Sequence, residues 1–204
     1  MWRFLDILFP PRSDEAALRG ISTDEFLGLV APRLVSDTRP GTAALLSYAD
    51  SRVRAAIHEA KYHGNERAFE LLSLVLADYL RESDDIYRNR TSLIIPVPLG
   101  TARRKERGFN QVEEVARRAA RELNLTVNAS LLVRTRETVS QVSLPREKRE
   151  ENMRNAFRAT HSIDPKHTYV LLDDVITTGA TLQAAIDALR EAGAEHIVPL
   201  ALAH

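Results

Sequence analysis

Cysteine is absent from this sequence, and aromatic residues are scarce. The 204 residues include no Cys, one Trp and 6% aromatic side chains in total. Without cysteine, neither a disulfide framework nor a metal site with thiolate ligands can form, and we expect a cytoplasmic protein. The six histidines lack the spacing of zinc-binding motifs, so we also expect no bound zinc.

Long apolar segments are missing as well. The apolar start, MWRFLDILFPPR, is interrupted by Arg3 and Asp6 and stopped by Pro10 and Pro11. It is too short for a signal peptide or a membrane-spanning helix, and we therefore expect no transmembrane segment. A hydrophobic content of 44% with 27% charged residues is nevertheless that of a folded domain rather than a disordered chain.

The chain has no formal net charge, but its charges are unevenly distributed. Residues 101–160 contain 14 Lys or Arg against 8 Asp or Glu, a surplus of +6 that the rest of the chain balances. A local basic excess favours binding of a polyanion, either a small phosphate ester or a nucleic acid. A solvated basic surface is the simpler alternative.

The order of apolar patterns along the chain predicts the fold class. Amphipathic helices are predicted at about 49–61, 66–81, 110–123 and 180–194, and buried strands at 92–98, 168–172 and 196–203. Ser22 and Glu25 form a capping box that begins an earlier helix. Strands that alternate with helices indicate an α/β fold with an open parallel sheet, which binds ligands beyond the carboxyl ends of its strands.

Two adjacent carboxylates, Asp173 and Asp174, follow one of these buried strands directly. Carboxylates do not bind phosphate, but they accept hydrogen bonds from neighbouring hydroxyls, such as a ribose diol, or bind a divalent cation. The simple alternative is that the pair caps a turn. A signalling receiver domain also carries such a pair, but the 30 residues after Asp174 are too few for its later functional residues.

The segment after the carboxylates predicts a phosphate-binding turn. Its residues are small or carry hydroxyls: Thr177, Thr178, Gly179, Ala180 and Thr181. Free backbone N–H groups, hydroxyls and the dipole of the following helix together bind an anion without a lysine, and the glycine allows close approach. The patterns of a P-loop or a dinucleotide-binding fold are absent. We therefore predict that this turn binds a 5′-phosphate and the carboxylates bind the sugar diol.

The motif VLLDDVITTGAT closely resembles the phosphoribosyl pyrophosphate motif of type I phosphoribosyltransferases. Together with KYHG at 61–64, IIPVPLG at 94–100, RGFNQ at 107–111 and LVRTRETVSQVSLPREKREENMRNAF at 132–157, it makes the chain similar to the ComF family of competence-associated phosphoribosyltransferase-like proteins. The resemblance implies an α/β, type I phosphoribosyltransferase-like parallel sheet core flanked by helices, with a small N-terminal helical or hood region.

The resemblance also implies the domain organisation. It assigns a phosphoribosyltransferase-like domain to residues 46–204. Family members commonly carry a four-cysteine zinc module at the N-terminus, but here Ser13 stands where its first cysteine is expected and no cysteine follows. We therefore expect residues 1–45 to form an N-terminal helical segment that replaces the zinc module.

Further site residues come from the same resemblance. PVPLGT matches the pyrophosphate loop, so the backbone amides of Leu99, Gly100 and Thr101 are expected to bind pyrophosphate, with an ordinary strand-ending turn as the alternative. Among the cations that follow, Arg107 is the best candidate because it is nearest to the turn at Gly108.

Residues 134–150 have no sustained apolar period and are predicted to form a long polar loop. In the resembled fold, a mobile loop at this place closes over the pyrophosphate. Arg134 and Arg136 are therefore expected to neutralise the charge of the leaving group. A solvated charged loop is the alternative.

The resemblance implies a phosphoribosyltransferase-type protein that binds phosphoribosyl pyrophosphate, or a nucleotide, and transfers the phosphoribosyl group to a nitrogen acceptor. Mg²⁺ is the expected cofactor, carried by the substrate without direct protein ligands. Asp173 and Asp174 are the expected catalytic residues, since carboxylates stabilise a cationic sugar. The sequence does not identify the acceptor.

The alternative function is a nucleotide- or single-stranded-DNA-binding component of DNA uptake, without turnover. Its partners would be single-stranded DNA and competence proteins, and a homodimer is a further expectation. Phe109 and Phe157 are the only aromatic residues in the basic segment, which provides few stacking surfaces for a single strand.

Overall fold

A computed structural model describes residues 12–83, 86, 92–135 and 155–204. The helices are α1 (Ser13–Gly20), α2 (Thr23–Leu27), α3 (Ser51–His63), α4 (Glu66–Glu82), α5 (Thr101–Arg107), α6 (Gln111–Leu123) and α7 (Ala180–Glu191). The strands are β1 (Val30–Val35), β2 (Thr42–Leu46), β3 (Ser92–Pro96), β4 (Thr126–Val127), β5 (Leu132–Arg134), β6 (Phe157–Ala159), β7 (Thr168–Val175) and β8 (His196–Ala203).

The main sheet has the strand order β1-β2-β8-β7-β3-β4. β1 is antiparallel to β2, and the other neighbouring strands of this sheet are parallel. β5 and β6 form a separate antiparallel ribbon. The predicted α/β fold with a parallel sheet and flanking helices is therefore confirmed. β7 lies centrally, so its carboxyl end opens in the middle of the ligand-binding edge.

Helices cover both faces of the sheet, which explains the continuous apolar runs of its strands. In β7, Val170 and Leu172 pack into one core, whereas Tyr169 and Leu171 pack into the other. Side chains alternate between the two faces of a strand, so a strand buried on both sides needs apolar residues at every position.

Side-chain caps fix where the helices begin. The predicted capping box is confirmed: the Glu25 backbone N–H donates to Ser22 Oγ at 3.2 Å, and the Ser22 N–H donates to Glu25 Oε2 at 2.8 Å. The side chains of Asp50, Asn65 and Asn110 accept hydrogen bonds from the first turns of α3, α4 and α6. These caps satisfy backbone donors that have no partner within the helix.

The segment expected to be helical, residues 1–45, is helical only in part. After α1 and α2, residues 30–46 form β1 and β2, which extend the main sheet. β1 carries no alternating pattern because it is a largely exposed edge strand, and β2 is a run of only five residues. The expected boundary at residue 45 therefore falls inside a strand of this sheet.

Within the described ranges, no helix combines the length and the apolar character needed to cross a membrane.

Candidate active site

The two carboxylates lie at the end of β7, within the strand rather than after it. Asp173 is in register with Ala201 of β8, and the pairing continues to Val175. Val97, just beyond β3, donates its N–H to the Leu172 carbonyl at 2.8 Å, so the ends of the two strands stay together. Asp173 and Asp174 therefore face the crevice at the carboxyl edge of the sheet, as predicted.

Asp174 is held by two side chains from separate helices. The Lys61 ammonium at the end of α3 lies 2.9 Å from Asp174 Oδ2, and Gln111 Nε2 at the start of α6 donates to the same oxygen. Asp174 is 7% exposed. Burial alone would raise its pKa, but the charge and hydrogen bond of Lys61 and the hydrogen bond of Gln111 outweigh burial, so the pKa lies below its usual value.

The pKa of Asp173 is shifted in the opposite direction. Its carboxylate is enclosed by protein, although part of it is accessible from the crevice, and it accepts a hydrogen bond from the Asp174 N–H at 2.8 Å. Burial and the negative charge of Asp174 raise the pKa of Asp173 to about 7. The pKa values of the two neighbouring aspartates are thus shifted in opposite directions, that of Asp174 downward and that of Asp173 upward.

The RGFNQ motif positions the Gln111 amide. Asn110 caps α6 by accepting from the Val112 N–H, and its own Nδ2 donates to the Val97 carbonyl at 3.0 Å. Both contacts fix the start of α6 against the end of β3. Gln111, the next residue, is thereby directed at Asp174.

The predicted phosphate-binding turn leads into α7, with Gly179 as the N-cap at φ +72°. A Cβ on Gly179 would lie 2.9 Å from Thr38 Cγ2 and 3.1 Å from the Asp37 carbonyl oxygen. The glycine is therefore required by the backbone conformation and by the β1–β2 connection, a close contact that the sequence did not indicate.

The turn encloses a small space with an unsatisfied polar group. A cavity of about 20 Å³ is lined by Asp173 and residues 175–182, which include all five residues of the predicted turn. The Thr178 hydroxyl is buried and has no hydrogen-bond partner among the described residues. A buried polar atom without a partner is unusual and fits a site that a ligand completes.

A larger cavity of about 540 Å³ opens beside the turn and contains both carboxylates. Thr177 and Thr181 line it on the turn side, and three arginines, Arg103, Arg107 and Arg134, contribute positive charge. This volume is within the usual range of small-molecule sites. The cavity thus combines hydroxyl groups, carboxylates and cations in one place.

The expected pyrophosphate loop is only partly at this cavity. Leu99 lines it, whereas Gly100 is the N-cap of α5 and Thr101 its first residue, and neither lines the cavity. Arg136 and the remainder of the predicted loop, residues 136–150, lie outside the described residues. Arg134 ends β5, with its Cζ 5.4 Å from the centroid of the Phe157 ring.

Arg107 is anchored on both sides. Its Cζ lies 4.8 Å from the centroid of the Tyr62 ring, and its Nη1 donates to Gln111 Oε1 at 3.2 Å. The guanidinium is therefore coupled through Gln111 to Asp174. Arg107 lines the cavity together with Arg103 of the same segment, and its role in binding pyrophosphate stays a prediction.

Sequence reasoning missed Lys61 and Gln111 as functional residues. Both belong to motifs that carry the family resemblance, KYHG and RGFNQ, but the charge of Lys61 was equally compatible with packing. A lysine in the last turn of an amphipathic helix is most often solvated. Its pairing with Asp174, far along the chain, follows only from the packing of α3 against the sheet edge.

The structure also brings together histidines that seemed unrelated in sequence. The ligand atoms of His58, Glu59 and His63 lie within 4.8 Å of one another. Glu59, however, accepts two hydrogen bonds from Arg12, at 2.9 and 2.8 Å, and one from Asn65 at 3.1 Å. Because a guanidinium already neutralises this carboxylate, the absence of zinc remains our prediction.

Comparison with known proteins identifies relatives. The phosphoribosyl transferase domain family matches residues 91–203. The DNA utilization protein YhgH of Escherichia coli K12 is 32% identical over 139 residues, which cover 68% of this chain and 61% of that protein. Competence protein F of Haemophilus influenzae is 37% identical over 106 residues, which cover 51% of this chain and 46% of that protein. Competence protein ComFC of Streptococcus pneumoniae is 30% identical over 132 residues, which cover 65% of this chain and 56% of that protein. The chain spans about three fifths of the length of the YhgH relatives it matches.

Solved structures with similar folds have low sequence identity. The adenine phosphoribosyltransferase of Leishmania tarentolae aligns with a TM-score of 0.40 at 15% identity and covers 88% of this chain and 72% of that one. The orotate phosphoribosyltransferase of Aeropyrum pernix aligns with a TM-score of 0.39 at 17% identity, covering 87% and 88%. The family assignment rests on the sequence matches.

Proposed function

Because this chain belongs to the phosphoribosyl transferase domain family and, through its relatives, to the ComF family, we propose that it binds phosphoribosyl pyrophosphate with Mg²⁺ and transfers the phosphoribosyl group to a nitrogen acceptor. The observation that carries the proposal is the 540 Å³ cavity, where Thr177 and Thr181 of the turn, two unlike carboxylates and several arginines meet, with the 20 Å³ cavity of the turn beside it. Each of these groups suits one part of this substrate.

The 5′-phosphate would bind at the turn of residues 177–181. The buried Thr178 hydroxyl has an unused donor there, and the backbone N–H groups at the start of α7 provide further donors. A dianionic phosphate is favoured at the positive end of the helix dipole. No lysine is needed at this position, which agrees with the composition of the turn.

The ribose diol would bind to the carboxylates. Asp174 is ionised and held in place by Lys61 and Gln111, so it accepts hydrogen bonds without moving. Asp173 faces the crevice and supplies the second acceptor. The negative charge of Asp174 would also stabilise the positive charge that develops on the sugar as the bond to pyrophosphate breaks.

The pyrophosphate would lie on the opposite side, near Leu99, Arg107 and Arg134. Asp174 cannot bind a metal ion through both of its oxygens, because Oδ2 already contacts Lys61 and Gln111. This arrangement fits a Mg²⁺ ion that arrives with the substrate. When bound, the ion would neutralise part of the pyrophosphate charge.

Calorimetry tests the proposal most directly. Phosphoribosyl pyrophosphate with Mg²⁺ should bind the wild type. Thr178→Val, which removes the hydroxyl at similar size, should bind it about 10- to 150-fold more weakly, the cost of a lost hydrogen bond to a charged group. Thr126→Val, at an exposed position in β4, serves as the matched control. Pyrophosphate release would then be screened with nucleobases as acceptors. No binding by the wild type would refute the proposal.

The cations of helix α5 support a second proposed function, binding of single-stranded DNA. The helix has no buried residue and carries four cations, Arg103, Arg104, Lys105 and Arg107, of which Arg103 and Arg107 line the cavity. Some relatives are named for DNA utilization and competence. Single-stranded DNA would contact the same cations as pyrophosphate, so its binding should be weak, sensitive to salt and competitive with phosphoribosyl pyrophosphate.

Fluorescence anisotropy with a labelled single strand, at two salt concentrations and with added phosphoribosyl pyrophosphate, tests this second function. Tight binding that is insensitive to salt and ligand would locate the DNA surface elsewhere. Competence proteins as partners, a homodimer and a cytoplasmic location remain predictions.

A further inference from the structure

The connection between β1 and β2, residues 36–41, lies against the phosphate-binding turn. Thr38 is only 3% exposed, and its Cγ2 would lie 2.9 Å from a Cβ on Gly179. The Cβ and the carbonyl oxygen of Asp37 would both lie 3.1 Å from the same position. Gly179 is the N-cap of α7, so the connection packs on the residue at which the turn becomes a helix.

Two hydrogen bonds fix the Thr38 side chain. Its Oγ1 donates to the Pro40 carbonyl at 2.7 Å and lies 2.6 Å from Thr42 Oγ1. Because a hydroxyl has a single hydrogen, Thr42, which is fully buried in β2, is the donor of the second bond. The Thr38 side chain cannot rotate without leaving these polar groups unpaired, which is costly in a buried place. Its methyl group is therefore held against Gly179.

A further hydrogen bond joins the connection to the first turn of α7. The Arg39 N–H donates to Gln183 Oε1 at 2.8 Å, and Gln183 Nε2 donates to Asp187 Oδ1 at 2.7 Å. The Gln183 N–H donates to the Gly179 carbonyl at 2.8 Å. The connection thus contacts α7 at Gly179 and at Gln183, on both sides of the first backbone N–H groups of the helix.

These N–H groups are the ones to which we assign the 5′-phosphate. Their directions depend on the conformation of Gly179, which has a φ of +72°. Donors that are fixed before a ligand arrives lose less conformational entropy on binding than donors that the ligand must order. The phosphoribosyl transferase domain family matches residues 91–203, so the residues that fix the turn lie outside the matched region.

We propose that Thr38, locked by Thr42 and assisted by the Arg39 N–H, is a positioning residue that orders the turn for the 5′-phosphate. Thr38 lines neither the 20 Å³ cavity nor the 540 Å³ cavity, so it acts through Gly179 and not by contact with the ligand. This inference rests on the proposed function. It adds to that function a contribution from the N-terminal part of the chain.

Thr38→Ser tests the positioning role, because it removes the methyl group and keeps the hydroxyl. Calorimetry should show that this variant binds ribose 5-phosphate about 2- to 13-fold more weakly than the wild type, the cost of ordering one flexible group on binding. Pyrophosphate with Mg²⁺, which we assign to the opposite side of the cavity, should keep its wild-type affinity. A general structural defect would weaken the binding of both ligands.

Thr42→Ser is the matched control. It removes a buried methyl group from the same pair of hydroxyls, and Thr42 is not among the nearest neighbours of Gly179. Each variant should melt about 2–4 °C below the wild type, the effect of one lost buried methyl group in a domain of this size. Only Thr38→Ser should bind ribose 5-phosphate more weakly. Hydrogen exchange of the Gln183 amide should also be faster in Thr38→Ser than in Thr42→Ser, because its acceptor is the Gly179 carbonyl.

The outcomes separate this inference from the proposed function. If the wild type binds ribose 5-phosphate and Thr38→Ser and Thr42→Ser bind it equally well, the positioning role is overturned and the proposed function stands. Parallel losses of affinity for ribose 5-phosphate and pyrophosphate in Thr38→Ser would also overturn it. Failure of the wild type to bind ribose 5-phosphate would refute the 5′-phosphate site together with this inference, and failure to bind phosphoribosyl pyrophosphate as well would refute the proposed function.

Discussion

The two sides of the cavity are built differently. The phosphate-binding turn consists of consecutive residues, 177–181, which follow the strand that carries the carboxylates. The opposite side combines Lys61 from α3, Arg107 from α5 and Gln111 from α6. The first side depends on local backbone conformation, whereas the second depends on how separate helices pack. Substitutions in the turn should therefore act through the backbone conformation, whereas substitutions on the helix side should act through the contacts of Asp174.

The largest effect is expected on the turn side. Gly179→Ala would place a Cβ 2.9 Å from Thr38 Cγ2 at a positive φ, so the turn must shift. We expect a loss of about 2–4 kcal/mol in the free energy of unfolding from strain and crowding, and loss of phosphate binding. Urea unfolding and calorimetry with ribose 5-phosphate would measure both.

Gly108 is the matched control for this substitution. It also has a positive φ, +80°, but a Cβ there would have no described atom within 4 Å. Gly108→Ala should therefore cost only about 1–2 kcal/mol, the penalty of the conformation alone. Equal costs at the two glycines would show that the contact with Thr38 is unimportant.

The next effect is expected from Asp174. Asp174→Asn should weaken binding of phosphoribosyl pyrophosphate severely while the fold survives, because a charge-assisted hydrogen bond contributes about 1.5–3 kcal/mol. Asp173→Asn should weaken it less near pH 7, since Asp173 is already partly protonated there. Calorimetry would measure the affinity of both variants for phosphoribosyl pyrophosphate. Equal losses of affinity would contradict the different roles of the two carboxylates.

A smaller effect is expected on the helix side. Lys61→Met should weaken substrate binding about 10-fold, because Asp174 loses the cation that keeps it ionised and oriented. Without Lys61 the pKa of Asp174 should rise, so the variant should need a higher pH than the wild type to reach its strongest binding. Lys166→Met, at an exposed lysine that does not line the cavity, should leave affinity and pH profile unchanged.

A double-mutant cycle separates this coupling from a general loss of stability. If Lys61 acts through Asp174, Lys61→Met should cost little more in the Asp174→Asn background. Additive losses would mean that Lys61 acts independently of the carboxylate.

The last comparison concerns the pH dependence of stability. The pKa of Asp173 is raised by folding to about 7, so the folded state binds more protons than the unfolded state between about pH 4 and pH 7. This residue therefore reduces stability progressively as pH rises through that window. Asp173→Asn should be less affected, and the difference in free energy of unfolding between variant and wild type should grow from pH 4 to pH 7. A constant difference would contradict the raised pKa.

Contiguous motifs were interpreted correctly from sequence wherever local conformation decides the structure. The alternation of strands and helices and the capping box of Ser22 and Glu25 were both predicted and are confirmed. In each case the hydrophobic period or the hydrogen bond involves residues close together in the chain. Local patterns did not reveal β1, because an exposed edge strand has no apolar face to display.

The sequence by itself determined the parallel sheet, the carboxylates at its edge and the turn that follows them, since apolar periodicity and consecutive residues define these features. Only the tertiary structure decided that Lys61 and Gln111 bind Asp174 and that Thr38 packs on Gly179. Unlike the first group, these contacts join residues far apart in the chain. They also decide the charges, because burial and a neighbouring cation give two adjacent aspartates opposite pKa shifts.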